Sequence, residues 1–325
     1  MDLTLALAGL GVGIVVGLTG MGGGALMTPI LVLVFGIPPV AAVSSDLAAS
    51  AVMKPFGGWV HARRGTVNWR LVGWLCAGSV PSAFCGVLLL RLLGDDETVQ
   101  HTIKISLGVA LLLAAGGMLL KAWVSRRQPE GPAAPITVRP VPTLLVGVGG
   151  GLIVGLTSVG SGSLIIVALL ALYPKLRAND LVGTDLVQAI PLVLSAALGH
   201  AFFGDLKLDL AAAVLLGSIP GVLIGARISS RAPGGIVRTA LVVVLLASSL
   251  KLLDVPTATV GIVTGLAVVA AVVLAGIQRA RRSAATTASA TTAGETDVAE
   301  RLRVPAGAAI PPQPVGVARE HDAAG

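Results

Sequence analysis

Two short runs of small residues are the part of this chain best suited to hold a ligand. One is Gly20-Met21-Gly22-Gly23-Gly24 and the other is Ser158-Val159-Gly160-Ser161-Gly162. Glycines in a row permit unusual backbone angles and leave amides uncovered. Apolar residues with a helical pattern follow each run, so each break presents a half-helix N-terminus with unpaired N–H groups and a positive dipole end. Such an end suits an anion. Thr19, Thr157, Ser158, Ser161 and Ser163 supply hydroxyl donors beside it. Close helix packing is the competing use of glycine. It fits Gly13 and Gly17, four apart, better than it fits three small residues in succession. A nucleotide loop is excluded, because no Gly-Lys-Ser/Thr ending follows and no strand pattern precedes.

Ionisable residues inside apolar stretches form the second group. Asp46 and Asp185 each stand near the start of a long apolar segment behind a hydroxyl residue, Ser45 or Thr184. A carboxylate in that setting is costly and marks a functional site by default. It caps a helix start or it carries a coupling proton and gates the pathway. Lys54 lies mid-segment, where it attracts anions or pairs indirectly with Asp46 two turns earlier. Gln188, three residues after Asp185, shares its helix face and lines the same cavity. His61 and His200 sit at segment ends, fitting interfacial packing or proton handling. Cys76 and Cys85 share one apolar stretch and form neither a disulfide framework nor a metal cluster. No metal or cofactor is expected.

These residues must be positioned in a bilayer. Of 325 residues, 54% are apolar and 12% charged, against about a quarter charged in soluble domains. Mean hydropathy is +0.91. Apolar segments fall near 3–19, 21–35, 41–60, 71–93, 103–124, 141–159, 163–174, 181–203, 208–229, 236–252 and 256–277. A full span needs about 20 residues. Segments 21–35 and 163–174 are short, and each follows another across a glycine break, as in a hairpin that returns the chain to its starting side. The first segment lacks a basic start and reads as a retained helix.

The chain carries a net charge of +7, with residues 283–325 acidic overall. Most of the cations lie in short loops and form no basic face for nucleic acid. Arg63, Arg64, Arg70, Arg126, Arg127, Arg139, Lys175, Arg177, Arg227, Arg231, Arg238, Arg279, Arg281 and Arg282 all fall on one side if the N-terminus is outside and the C-terminus cytoplasmic. The opposite side holds Arg91, Lys104, Lys207 and Lys251, each diluted by nearby acids.

An internal repeat accompanies this bias. Gly13–Pro29 matches Gly151–Val167 at an offset of 138 residues. One residue later in offset, Ser45-Asp46-Leu47 matches Thr184-Asp185-Leu186, His61 matches His200, and Pro81 matches Pro220. Each copy has five segments, an odd number, so the second enters from the opposite side. The predicted fold is an all-α polytopic membrane protein. It is an inverted-topology repeat of two five-segment halves with glycine-broken hairpins, plus one extra C-terminal helix. The expected divisions are a first repeat at 1–124, a cytoplasmic linker at 125–140, a second repeat at 141–255, the extra helix at 256–282 and a disordered cytoplasmic tail at 283–325. The extra helix packs peripherally or mediates oligomerisation.

With these motifs, residues 3–277 resemble the TauE/SafE family of sulfite and organosulfonate exporters. The resemblance implies transport of small sulfur-containing or carboxylate anions across the inner (cytoplasmic) membrane, with protons as the coupling ion. The family's glycine signatures fall on Gly17–Gly24 and Gly155–Gly162, the second copy departing toward serine. The expected activity is secondary transport by alternating access, with a channel-like anion pore as the alternative. An intramembrane enzyme finds no support, since no H-E-x-x-H or Ser/His arrangement is present.

Overall fold

The computed structural model describes residues 3–19, 24–63, 65–94, 97–125, 136–174, 176, 178–203, 207–229, 234–270 and 273. It divides into two units, Met1–Val269 and Ala270–Gly325. The first unit is helical. Its helices are α1 (Leu3–Thr19), α2 (Gly24–Leu33), α3 (Pro39–Arg63), α4 (Trp69–Leu93), α5 (Glu97–Ser125), α6 (Pro140–Thr157), α7 (Leu164–Leu172), α8 (Ala178–Phe203), α9 (Leu208–Ser229) and α10 (Gly234–Leu252). A further apolar helix, α11, covers Thr257–Ala270. Residues 126–135 of the expected linker and 274–325, including the expected tail, lie outside the described residues.

Among the described residues, four helices are long and apolar enough to cross a bilayer by themselves: Trp69–Leu92, Glu97–Trp123, Pro140–Thr157 and Asp180–Phe203. The two short segments are shorter still as helices. At 1.5 Å per residue, the 10 residues of α2 and the 9 of α7 rise only about half the hydrocarbon thickness. After α7 the chain is back where α6 began. The Tyr173 hydroxyl oxygen accepts the Arg139 backbone N–H at 2.8 Å and lies 2.6 Å from the Thr143 hydroxyl. The α6–α7 pair is thus a hairpin whose two ends meet.

Large apolar side chains face outward along many helices, among them Leu7, Leu113, Leu145, Leu198, Leu223 and Val244. A soluble surface would not tolerate so many; a lipid-facing one requires them. Inside, one apolar cluster gathers Met27, Leu31, Leu107, Leu111 and Leu245, and a second gathers Leu47, Leu75, Ile165, Leu169 and Leu192. Trp59, Trp69 and Trp123 are exposed near the ends of α3 and α5 and the start of α4. Amphipathic rings favour that depth, at the membrane–water boundary. The Arg63 guanidinium sits 4.0 Å from the Trp59 ring centre there.

Helix pairing exchanges the two halves. The most extensive contacts are α1 with α9 and α4 with α6, followed by α3 with α8, α4 with α8 and α5 with α10. Small residues let the first two pairs touch backbone to backbone. A Cβ on Gly9 would come 2.6 Å from the Val214 carbonyl oxygen, and one on Gly147 would come 2.5 Å from that of Leu75. Gly147 is the repeat mate of Gly9, and Val214 that of Leu75, so one contact is built twice with the halves swapped. Gly13 on Ser218 and Gly151 on Ser79 repeat it one turn further. The packing reading of Gly13 agrees with this geometry.

The same contacts set helix directions. Residues 75, 79 and 83 of α4 meet residues 147, 151 and 155 of α6 in ascending order, so that pair is parallel. Between α3 and α8 the order reverses. Gly58 faces Ile190, whereas Gly183 faces His61. The α5–α10 pair is also antiparallel: Gly108 faces Ser249, and the Lys104 ammonium donates to Asp254 at 2.5 Å just beyond the end of α10.

Candidate functional site

The second glycine run forms a true break. The helix α6 stops at Thr157, and Ser158 adopts a left-handed conformation with φ 60°. Gly160 and Gly162 follow with φ 135° and 94°. Gly162 therefore occupies backbone space that L side chains rarely adopt. The Thr157 hydroxyl is spent on the break itself, donating to the Ile153 carbonyl at 2.7 Å and accepting the Val159 N–H at 3.2 Å. The first-turn amides of Ser163, Leu164 and Ile165 all converge on the Gly160 carbonyl. Some of the donors that an open half-helix would offer are therefore already satisfied within the loop.

In the first half, α1 ends at Thr19 and α2 starts at Gly24. Gly20, Gly22 and Gly23, and the Thr19 side chain, lie outside the described residues.

Side chains from α2, α3 and α8 converge on the second break. Asp46 is fully buried and accepts hydrogen bonds from the Thr28 hydroxyl at 2.9 Å and from the Ser158 hydroxyl. Two turns along α3, Lys54 donates to the Ser161 hydroxyl at 2.5 Å. Lys54 is 6% exposed, so its ammonium is buried. Ser50 lies one turn from each on the same face, and its hydroxyl is buried without a hydrogen-bond partner, as is the second Asp46 oxygen. The stripe Asp46–Ser50–Lys54 follows from four-residue spacing on one helix face.

Asp185 approaches from α8. Its Oδ1 accepts the Gln188 side-chain N–H at 3.1 Å, and the Ser79 hydroxyl on α4 donates to Gln188 Oε1 at 3.2 Å. The Gly162 backbone N–H also donates to the Asp185 carboxylate. The Lys54 charge reaches both carboxylates, acting more strongly on Asp185 than on Asp46, and Lys121 on α5 adds to the field at Asp185. Two carboxylates and a buried ammonium therefore surround one helix break.

Several sequence expectations are sharpened by this geometry. Asp46 and Asp185 are not helix caps. The helices begin at Pro39 and Ala178, which places both acids about two turns inside them. Lys54 engages Ser161 directly, and its charge also reaches Asp46. Gln188 does share a site with Asp185.

Ser45 is buried with its hydroxyl unpartnered, and is one residue off the Asp46 stripe. Its repeat mate Thr184 does a different task. The Thr184 hydroxyl donates to the Asp180 carbonyl at 2.7 Å and accepts the Asn68 N–H at 3.0 Å, anchoring the start of α4. His61 lies 3.0 Å from the Thr66 hydroxyl at the far end of α3, and His200 is buried near the end of α8. Neither histidine joins the cluster around the break.

Ser50, Thr28, Ser79 and Lys121 belong to the cluster but escaped sequence reasoning. Thr28 is a single hydroxyl in the apolar run of α2, four residues past Gly24. Ser79 reaches the site only through Gln188. Lys121 reads as a helix-end lysine. Local signals existed for Thr28, a polar residue one turn inside a short half-helix, and for Ser50, one turn after Asp46 on the same face.

A family model described as Sulfite exporter TauE/SafE matches residues 5–252, nearly the whole helical unit. The chain belongs to that family. The TauE/SafE match is supported by two relatives. The probable membrane transporter protein YjnA of Bacillus subtilis (strain 168) is 41% identical over 256 residues, covering 78% of this chain and 100% of its own. The probable membrane transporter protein YdhB of the same organism is 24% identical over 230 residues, covering 70% and 91%. No solved structure matches. As a TauE/SafE member with lipid-facing apolar helices, the chain is a multi-pass membrane transporter and not an enzyme.

Proposed function

We propose that this TauE/SafE protein is a secondary transporter that exports a small anion, such as sulfite, an organosulfonate or a small carboxylate, by alternating access. The observation that carries this reading is the buried Lys54 ammonium on Ser161, in the break that precedes α7. A buried cation beside a half-helix N-terminus attracts negative charge strongly, because the low-polarity surroundings screen it little. Asp46 and Asp185 on the same break offer sites for a coupling proton.

The inverted repeat provides the moving parts. Equivalent helices α3 and α8 run antiparallel, as do α5 and α10, and the Gly9–Val214 contact recurs as Gly147–Leu75. Both features support two mirrored halves, related by an in-plane pseudo-twofold axis and able to exchange conformations. Orientation with the N-terminus outside and the C-terminus cytoplasmic in the inner membrane is favoured by contacts that join same-sided loops. Asn68 meets Thr184 and Arg139 meets Tyr173 on the arginine-rich side, and Lys104 meets Asp254 on the other.

Flux from proteoliposomes tests the reading, with sulfite, sulfate, sulfoacetate, taurine and short carboxylates, with and without a proton gradient. Saturable flux of one or more anions that responds to the gradient is expected. Unsaturable current would point to a pore, and no anion flux at all would remove the proposal.

A further inference from the structure

The donors at the α6–α7 break are those of an anion site, yet an acid of the protein already uses them. A backbone N–H from Gly162, a side-chain N–H from Gln188 and the charges of Lys54 and Lys121 all act on Asp185. Gln188 is oriented for this task, since Ser79 holds its oxygen and leaves its NH₂ facing Asp185. Alongside, the second Asp46 oxygen and the Ser50 hydroxyl are buried with no partner. Unpartnered buried polar atoms are costly, and they mark a place where a ligand, proton or water belongs.

We propose that the Asp185 carboxylate is an internal stand-in for the transported anion, holding the break until a proton neutralises it and an external anion takes over its donors. This rests on the anion-transport reading above and adds a binding order to it. Two anions cannot share one set of donors in a buried site, because their repulsion is scarcely screened there. Protonation turns Asp185 from an acceptor of the Gly162 and Gln188 N–H groups into a neutral acid. The incoming anion then accepts those same hydrogens. The negative charge beside Lys54 is conserved, and one proton enters the site with each anion.

The exchange also selects the ligand. Its head group must replace one carboxylate in size and charge, which describes a monoanionic sulfonate, hydrogensulfite or carboxylate rather than a dianion. The other groups facing Asp185 do not supply the exchange. From α3 come Lys54 and, at the end of the stripe, Asp46, with His61 beyond; α4 contributes Ser79 and the Cys76 thiol; α5 contributes Lys121; α6 and α7 have no charged side chain; and on α8 itself, Asp180 and His200 flank Asp185 at a distance of more than one turn.

Methanesulfonate is the probe, because it has no proton to lose near neutrality. Binding to the purified full-length chain is measured by calorimetry between about pH 6 and about pH 8, in buffers that report proton uptake. For wild type, about one proton should be taken up per anion, and affinity should fall about tenfold per pH unit on the alkaline side. Asp185→Asn should bind methanesulfonate more tightly than wild type at the alkaline end, with no pH slope. A folded Asp185→Asn protein that no longer binds, or one that keeps the wild-type slope, would overturn the proposal. Wild-type binding without proton uptake would overturn it too, and this holds even if the variant does not fold. Wild type that binds neither methanesulfonate, sulfite nor acetate would remove the anion reading itself, and this proposal with it.

Discussion

Lys54 donates to Ser161 at 2.5 Å, joining the only charged side chain deep within α3 after Asp46 to the loop that interrupts the second half. Its repeat mate is Val193, so the cation is not duplicated at this position of the repeat. The two halves share a scaffold, but the charge at the centre is asymmetric. Function is therefore expected to be more sensitive to the second break than to the first.

Lys54→Met should reduce anion flux in proteoliposomes at least about tenfold, since a charge-assisted hydrogen bond is worth about 1.5–3 kcal/mol. It also leaves two buried carboxylates uncompensated, a loss of roughly 3–5 kcal/mol when a buried pair is broken. Flux per folded molecule, normalised by thermal melting, separates the two effects. Normal flux would show that Lys54 is structural.

Gly162→Val should abolish flux with the protein still inserted. Its φ of 94° costs a branched residue about 1–3 kcal/mol, and the amide on Asp185 would shift with it. Gly24→Val is the matched variant in the first half, at the repeat offset of 138 residues. Unchanged flux in both would refute a transport role for the breaks.

Asp46→Asn retains an oxygen for the Thr28 and Ser158 hydroxyls but removes the charge. The pH profile of flux should flatten, while expression and melting change little. A profile superimposable on wild type would take Asp46 out of coupling.

Gly147→Val and Gly9→Val should behave alike, because they stand at equivalent contacts with the Leu75 and Val214 carbonyls. Each forces its helix pair apart, an overpacking cost of typically about 1–3 kcal/mol. Similar losses of melting temperature are expected, and a large drop for one with none for the other would contradict the exchanged packing.

A reporter fused after residue 282 should score as cytoplasmic. A periplasmic score would overturn the proposed orientation and the inverted halves with it.

The sequence by itself was enough for whatever depends on local spacing and on solvent preference. A chain with 12% charged residues must hide in lipid, and the run at Gly160–Gly162 interrupts its helix. Asp46, Asp185, Lys54 and Gln188 stood out because charge and amide groups are expensive inside apolar segments.

Tertiary structure alone decided which groups meet. Ser158 and Ser161 lie over 100 residues from Asp46 and Lys54, and their contact depends on how α3 docks against the α6–α7 hairpin. The same docking recruits Thr28, Ser79 and Lys121, sends Thr184 to Asn68, and places both acids inside helices rather than at their starts. Helix periodicity sets neighbours three or four residues apart, whereas partners on other helices are set by the fit of small residues at crossings such as Gly9–Val214, which no single segment encodes.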